Sequence, residues 1–191
     1  MSLMNNFDLD LRERYLIEQM VSVHFYTKKY LLIAEEIAEQ GELFLQPLKE
    51  HRDAFDHMMR CYGVFLVEDD SMSEEKKQEY IQKNLEKAFG HVYRAFFDTA
   101  DWLTYILRKF IRIKLRDAGD EICKQSFDNY AQIKKTINEV PFKVADLRGS
   151  KDIAKLNNQS ENSVIKEVKE YIDIIEELIK LRECVISVLG L

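Results

Sequence analysis

The stretch VIKEVKEYIDIIEELIKLRECVISVL, residues 164–189, decides the fold class. Ile165, Ile172, Ile179 and Ile186 stand seven apart. Val168, Ile175 and Leu189 form a neighbouring seam that Arg182 interrupts, and Val164, Tyr171, Leu178 and Val185 widen the apolar face. Apolar residues recurring at three- and four-residue steps line one face of an α-helix. Here that face is too wide for a single surface contact. The helix therefore packs between two neighbours in its own bundle or joins a partner helix.

The same periodicity extends toward the N-terminus. Residues 149–163 form a polar loop ahead of the last helix. A fourth helix is expected over 120–138, with Pro141 ending or kinking it, since proline lacks the amide hydrogen that a helix interior needs. The third runs from about 73 to 116 on the stripe Leu85, Phe89, Val92, Phe96, Leu103, Ile106, Phe110, Ile113, and Ser71 with Glu74 resembles a capping box at its start. The second follows Pro47, a residue suited to a first turn, with Leu48, Phe55, Tyr62 and Met58, Phe65 as its apolar stripe. The first covers 9–40 and stops at Gly41. Six glycines and two prolines in 191 residues exclude a turn-rich sandwich or barrel. The expected architecture is all-α: about five long, mostly antiparallel helices in one domain over 4–191, with residues 1–3 resembling an expression leader.

Against 28 lysines and arginines stand 34 acids, a net charge of −6, which argues against general coating of nucleic acid. No run approaches the ~18 apolar residues that span a bilayer. Three widely spaced cysteines, Cys61, Cys123 and Cys184, disfavour a disulfide framework or zinc ribbon and fit a reducing cytoplasm.

One internal repeat stands out. Ala54-Phe55-Asp56-His57-Met58-Met59-Arg60-Cys61-Tyr62 matches Ala88-Phe89-Gly90-His91-Val92-Tyr93-Arg94-Ala95-Phe96 as Ala-Phe-x-His-x-x-Arg-small-aromatic, 34 residues apart. Two copies on successive helices imply a pseudo-twofold hairpin of about 47–66 and 73–100, which brings His91 toward Glu50, His51 and Arg52. Acids accompany both copies at helical spacing: Asp53 with His57, Asp56 with Arg60, and Arg94 with Asp98 and Asp101.

Three chemistries suit this cluster. It can be a polar network that fixes the hairpin. His51, Asp53, His57, His91 and Asp98 could also ligate a metal, but no Glu-x-x-His spacing occurs and arginines crowd the site, so neither metal nor cofactor is expected. Finally, Arg52-Asp53-Ala54-Phe55-Asp56-His57 resembles the Arg-x(4–6)-His motif of the HEPN superfamily, small helical bundles of defence and toxin systems. The resemblance implies metal-independent RNA cleavage at a groove between two protomers. His57 would be its acid–base group and Arg52 its phosphate stabiliser.

Arg108, Arg112 and Arg116 fall four apart and form a basic stripe, either an RNA phosphate contact or a solvated face pairing with Asp101, Asp117 and Asp120. No glycine-rich phosphate loop or Gly-x-Ser-x-Gly elbow occurs. The leading expectation is a non-enzymatic helical module that binds a helical partner or its own copy, with the isoleucine seam of the last helix in the contact. The alternative is a HEPN-like RNA-binding or RNA-cleaving protein.

Overall fold

A computed structural model describes residues 9–38, 44–66, 72–149 and 163–190, without the side chains of residues 65 and 163–165. The leader, Gly41, the Ser71 cap and nearly all of the 149–163 loop lie outside the described residues. The structure is all-α. Among those residues there are six helices and no strand: α1 (Leu11–Ile37), α2 (Gln46–Leu66), α3 (Glu74–Ala118), α4 (Asp120–Ser126), α5 (Tyr130–Gly149) and α6 (Ser163–Leu189).

Local chemistry explains the boundaries. Asp10 Oδ1 accepts from the Glu13 amide while Glu13 Oε2 accepts from the Asp10 amide, a reciprocal cap that opens α1. Ser73 Oγ accepts from the Lys76 amide at the start of α3, which then runs 45 residues, about 68 Å.

The expected fourth helix is corrected in two ways. Its first part is split, because Phe127 leaves the helix in extended conformation before Tyr130 resumes it, so α4 and α5 are separate, and Gly119, turning at φ 84°, parts α3 from α4. Its end is also later: α5 continues through Pro141 to Gly149. Proline at 141 deprives the Ile137 carbonyl of its usual donor. Arg112 Nη2 reaches that carbonyl from α3 at 3.4 Å and Asn138 Oδ1 at 3.3 Å, so the orphaned acceptor is served from outside the helix.

The helices form two compact units, residues 1–30 with 43–99 and residues 31–42 with 100–191. In the first, Met20, Val23 and Tyr30 of α1, Ala54 and Cys61 of α2, and a long run of α3 build the core. There Phe96 and Phe97 meet edge to face, and Tyr30 lies against Phe96. Glu13 is buried and accepts from Gln78. Burial, with Glu13 nearby, pushes the Cys61 thiol up to about 11, so it is an inert core group.

In the second unit, Leu103, Leu107 and Ile111 of α3 and Ile133, Ile137 and Val140 of α5 are buried. From α6 the buried row is Tyr171, Leu178 and Val185, with Val168 and Ile175 beside it. Ile172, Ile179 and Ile186 are only half-buried, so the isoleucine seam borders the packed face of α6 rather than forming its centre. Arg182, which interrupts the seam, stacks over Phe110 at 4.8 Å.

Three residues of the stripe expected to pack α2, Leu48, Phe55 and Tyr62, are exposed instead, as are Met59 and Leu66 beside them, Phe55 by 63% and Leu66 by 70%. Of the other two, Met58 is half-buried and the Phe65 side chain lies outside the described residues. The face that α2 turns inward instead carries Pro47, Glu50, Ala54 and Cys61, with His57 and Met58 half-buried. Glu50 and His57 are accommodated on that face because α3 offers them partners, His91, Arg94 and Asn84.

Candidate functional site

The repeat segments face each other within the first unit, and their imidazoles meet. The His57 and His91 rings stack with centroids 5.4 Å apart. Glu50 Oε2 accepts from His91 Nδ1 and from Arg94 Nε, both at 2.8 Å, while Gln46 donates to its other oxygen at 3.1 Å. His57 Nδ1 lies 2.9 Å from Asn84 Oδ1, and Asn84 donates its amide to the Tyr80 carbonyl. That pairing makes the Asn84 oxygen an acceptor, so His57 carries its proton on Nδ1. Asn84 escaped the sequence reading because it neither titrates nor belongs to the repeat.

Glu50 is the hub. Burial pushes its carboxyl up, but hydrogen bonds from His91 and Arg94, with the charge of Arg94, together outweigh that and hold it below its ordinary value. His91 Nδ1 also lies 2.6 Å from Arg94 Nη2. One ring nitrogen either donates to the carboxylate or accepts from the guanidinium, so the position of the His91 proton selects between two contacts.

The remaining candidates scatter. Arg52 is bound to Asp53 at 2.7 Å, and its side chain is mostly exposed. That hydrogen bond, more than the small cost of burial, lowers the Asp53 carboxyl, with further pull from His91 and His57. Arg52 and His57 therefore belong to different pairs, one held by Asp53 and the other by Asn84. Asp56 and Arg60 pair at 2.6 Å in solvent. Arg94, expected beside Asp98 and Asp101, turns to Glu50. Asp98 is half-buried, and Asp101 belongs to the second unit, where it accepts from Arg148 and the Tyr171 hydroxyl. Burial and that aspartate raise the Tyr171 phenol. Among the described residues no three His, Cys, Asp or Glu side chains are arranged to hold a metal ion.

His51 stands apart from Glu50. Its ring meets His24 edge-on at 5.1 Å, and its Nε2 is buried without a hydrogen-bond partner. Burial, then the neighbouring His24, lowers its pKa. Below the ordinary histidine value of about 6.5, the unfolded chain binds a proton that the folded one refuses, so stability falls with pH until it passes the lowered value. The melting temperature is expected to drop between pH 7 and 5.5, and to drop less in His51→Asn. Equal slopes for the two proteins would remove His51 as the cause. Loss of Glu50 ionisation destabilises at lower pH, below about 4.5, and stays distinct.

The basic stripe is largely engaged in the fold. Arg108 is half-buried and donates to the Thr104 carbonyl, Arg112 serves α5 across Pro141, and Arg116 pairs with Asp117. A cleft of about 270 Å³ beside Arg112 and Arg116 also contains Lys134 and Asp120, which pair with each other. No helix of the described residues is long and apolar enough to cross a membrane.

Comparison of the chain with family models, curated proteins and solved structures gives no match.

Proposed function

We propose that this protein is a non-enzymatic helical assembly module and that the outer face of α2 is its contact surface. The observation that carries this reading is the orientation of α2. Pro47, Glu50, Ala54 and Cys61 are buried, while Leu48, Phe55, Met59, Tyr62 and Leu66 are exposed on one stripe. Phe55, Met59, Tyr62 and Leu66 at helical spacing, with Leu48 beyond Arg52, make an apolar patch of the kind that marks interaction sites.

The internal repeat strengthens the inference. Phe89 and Phe96 occupy the positions of Phe55 and Tyr62 in the second copy, and both are buried. Tyr30 of α1 lies against Phe96. A helix thus covers α3 where, in the first copy, Phe55 is 63% exposed, so α2 carries residues suited to a helix-on-helix contact on its outer face. The histidine–glutamate network holds α2 against α3 in the orientation that presents the stripe. Arg52 and His57 play no acid–base role in such a module.

The test is a photoreactive phenylalanine analogue replacing Tyr62, with Glu79, an exposed residue of α3, as the control position. Irradiation in cells is expected to give one adduct of defined mass from position 62 and none from 79. No adduct at 62, or the same adducts from both positions, refutes the reading.

A further inference from the structure

We infer that the helix covering the α2 stripe is α2 of a second copy of this chain, packed antiparallel about a twofold axis near residue 57. This rests on the reading of α2 as a contact surface and adds its occupant.

The spacing specifies the partner's geometry. Leu48, Arg52, Phe55, Met59, Tyr62 and Leu66 are separated by four, three, four, three and four residues. These steps average 3.6, the period of a straight α-helix, so all six positions stay on one narrow stripe, a seam along which a second helix can lie. When the seam is reversed upon itself, one register aligns all six positions: Leu48 opposite Leu66, Phe55 opposite Met59, and Arg52 opposite Tyr62 in the partner. Shifting by a heptad in either direction leaves apolar residues uncovered at one end. The only charge in the seam therefore meets an aromatic ring, on which a guanidinium stacks favourably while keeping its bond to Asp53.

The flank is self-complementary as well. Asp56 and Arg60 form an exposed pair one turn apart on α2. A twofold axis near residue 57 places this acid–base pair against its own reverse, so each arginine lies near the partner's aspartate. Gly63 lies on the same flank, and a side chain added there would meet nothing of its own chain within 4 Å of its Cβ, so a neighbouring backbone can approach.

The apolar surface left to cover runs the length of α2: Leu48 is 45% exposed, Phe55 63% and Leu66 70%. An isologous contact of this kind closes at two copies and leaves no open end for a filament.

The experiment uses the full chain. Sedimentation velocity over a range of concentrations is expected to give a monomer–dimer equilibrium that Phe55→Glu weakens at least 30-fold, with helix content unchanged. For orientation, Leu48→Cys and Leu66→Cys proteins, each also carrying Cys184→Ser, are oxidised separately and as a mixture. Disulfide dimers should appear only in the mixture.

A wild-type chain that stays monomeric throughout overturns the second-copy proposal, while a Tyr62 adduct of another mass leaves the contact-surface reading standing. A disulfide in Leu48→Cys alone overturns the antiparallel arrangement. Tyr62→Lys is the second variant should Phe55→Glu unfold. If both unfold, the stripe belongs to the core, and this proposal and the reading beneath it fall together.

Discussion

Leu178→Ala is expected to lower the unfolding free energy by about 3 kcal/mol, and Ile179→Ala by only about 1 kcal/mol, in urea denaturation followed by circular dichroism. The two residues are neighbours on α6, but Leu178 is fully buried and Ile179 half-buried. Removing Leu178 loses the transfer free energy of its side chain and leaves a cavity in the second unit, among Tyr171, Ile175 and Val185 on the same face. At position 179 water already reaches part of the side chain, and alanine recovers some helix propensity. Equal losses at both positions would show that the packed face of α6 is centred on the isoleucines instead.

The second large effect belongs to Glu50. Glu50→Gln is expected to cost about 2 kcal/mol, because an amide presents one acceptor and two donors to a pocket where His91, Arg94 and Gln46 all offer hydrogens. Arg94 is about a third exposed and can turn to water, which keeps the cost below the 3–5 kcal/mol or so typical of a fully buried ion pair losing one member. Arg60→Ala, which breaks the solvent-facing pair with Asp56, is the control and should cost under about 0.5 kcal/mol. A double-mutant cycle of Glu50→Gln with Arg94→Ala should recover part of the loss, since without Arg94 less positive charge remains to be matched. A Glu50→Gln protein as stable as the Arg60→Ala one would mean that the cluster does not hold the hairpin.

Scarce breakers and sustained 3.6-residue periodicity made the helical architecture legible, as did the repeat offset that sets His91 against Glu50. Three features were not legible, each for its own reason. Pro141 reads as a stop because its rescue comes from Arg112, 25 residues before the carbonyl it serves. The α4–α5 break depends on extended backbone at Phe127, in a stretch whose apolar spacing otherwise continues. The orientation of α2 departs from the rule that apolar stripes face inward, because Glu50 is drawn to the inner face by His91 and Arg94 while Leu48, Phe55 and Tyr62 stay exposed. At the cluster, the titratable residues were visible, but Asn84 became recognisable only once the folded hairpin set it beside His57.

The division of α1 and α3 between two units has a consequence for synthesis on the ribosome. Every segment of the first unit is contained in residues 1–99, so that unit can close while the remainder is still being translated. The second unit needs residues 31–42 together with 100–191, so its earliest piece, the final turns of α1, must wait for translation to reach α6. The apolar side chains of Leu31 and Ala34, both buried in the finished fold, are therefore among those that stay uncovered until the second unit closes.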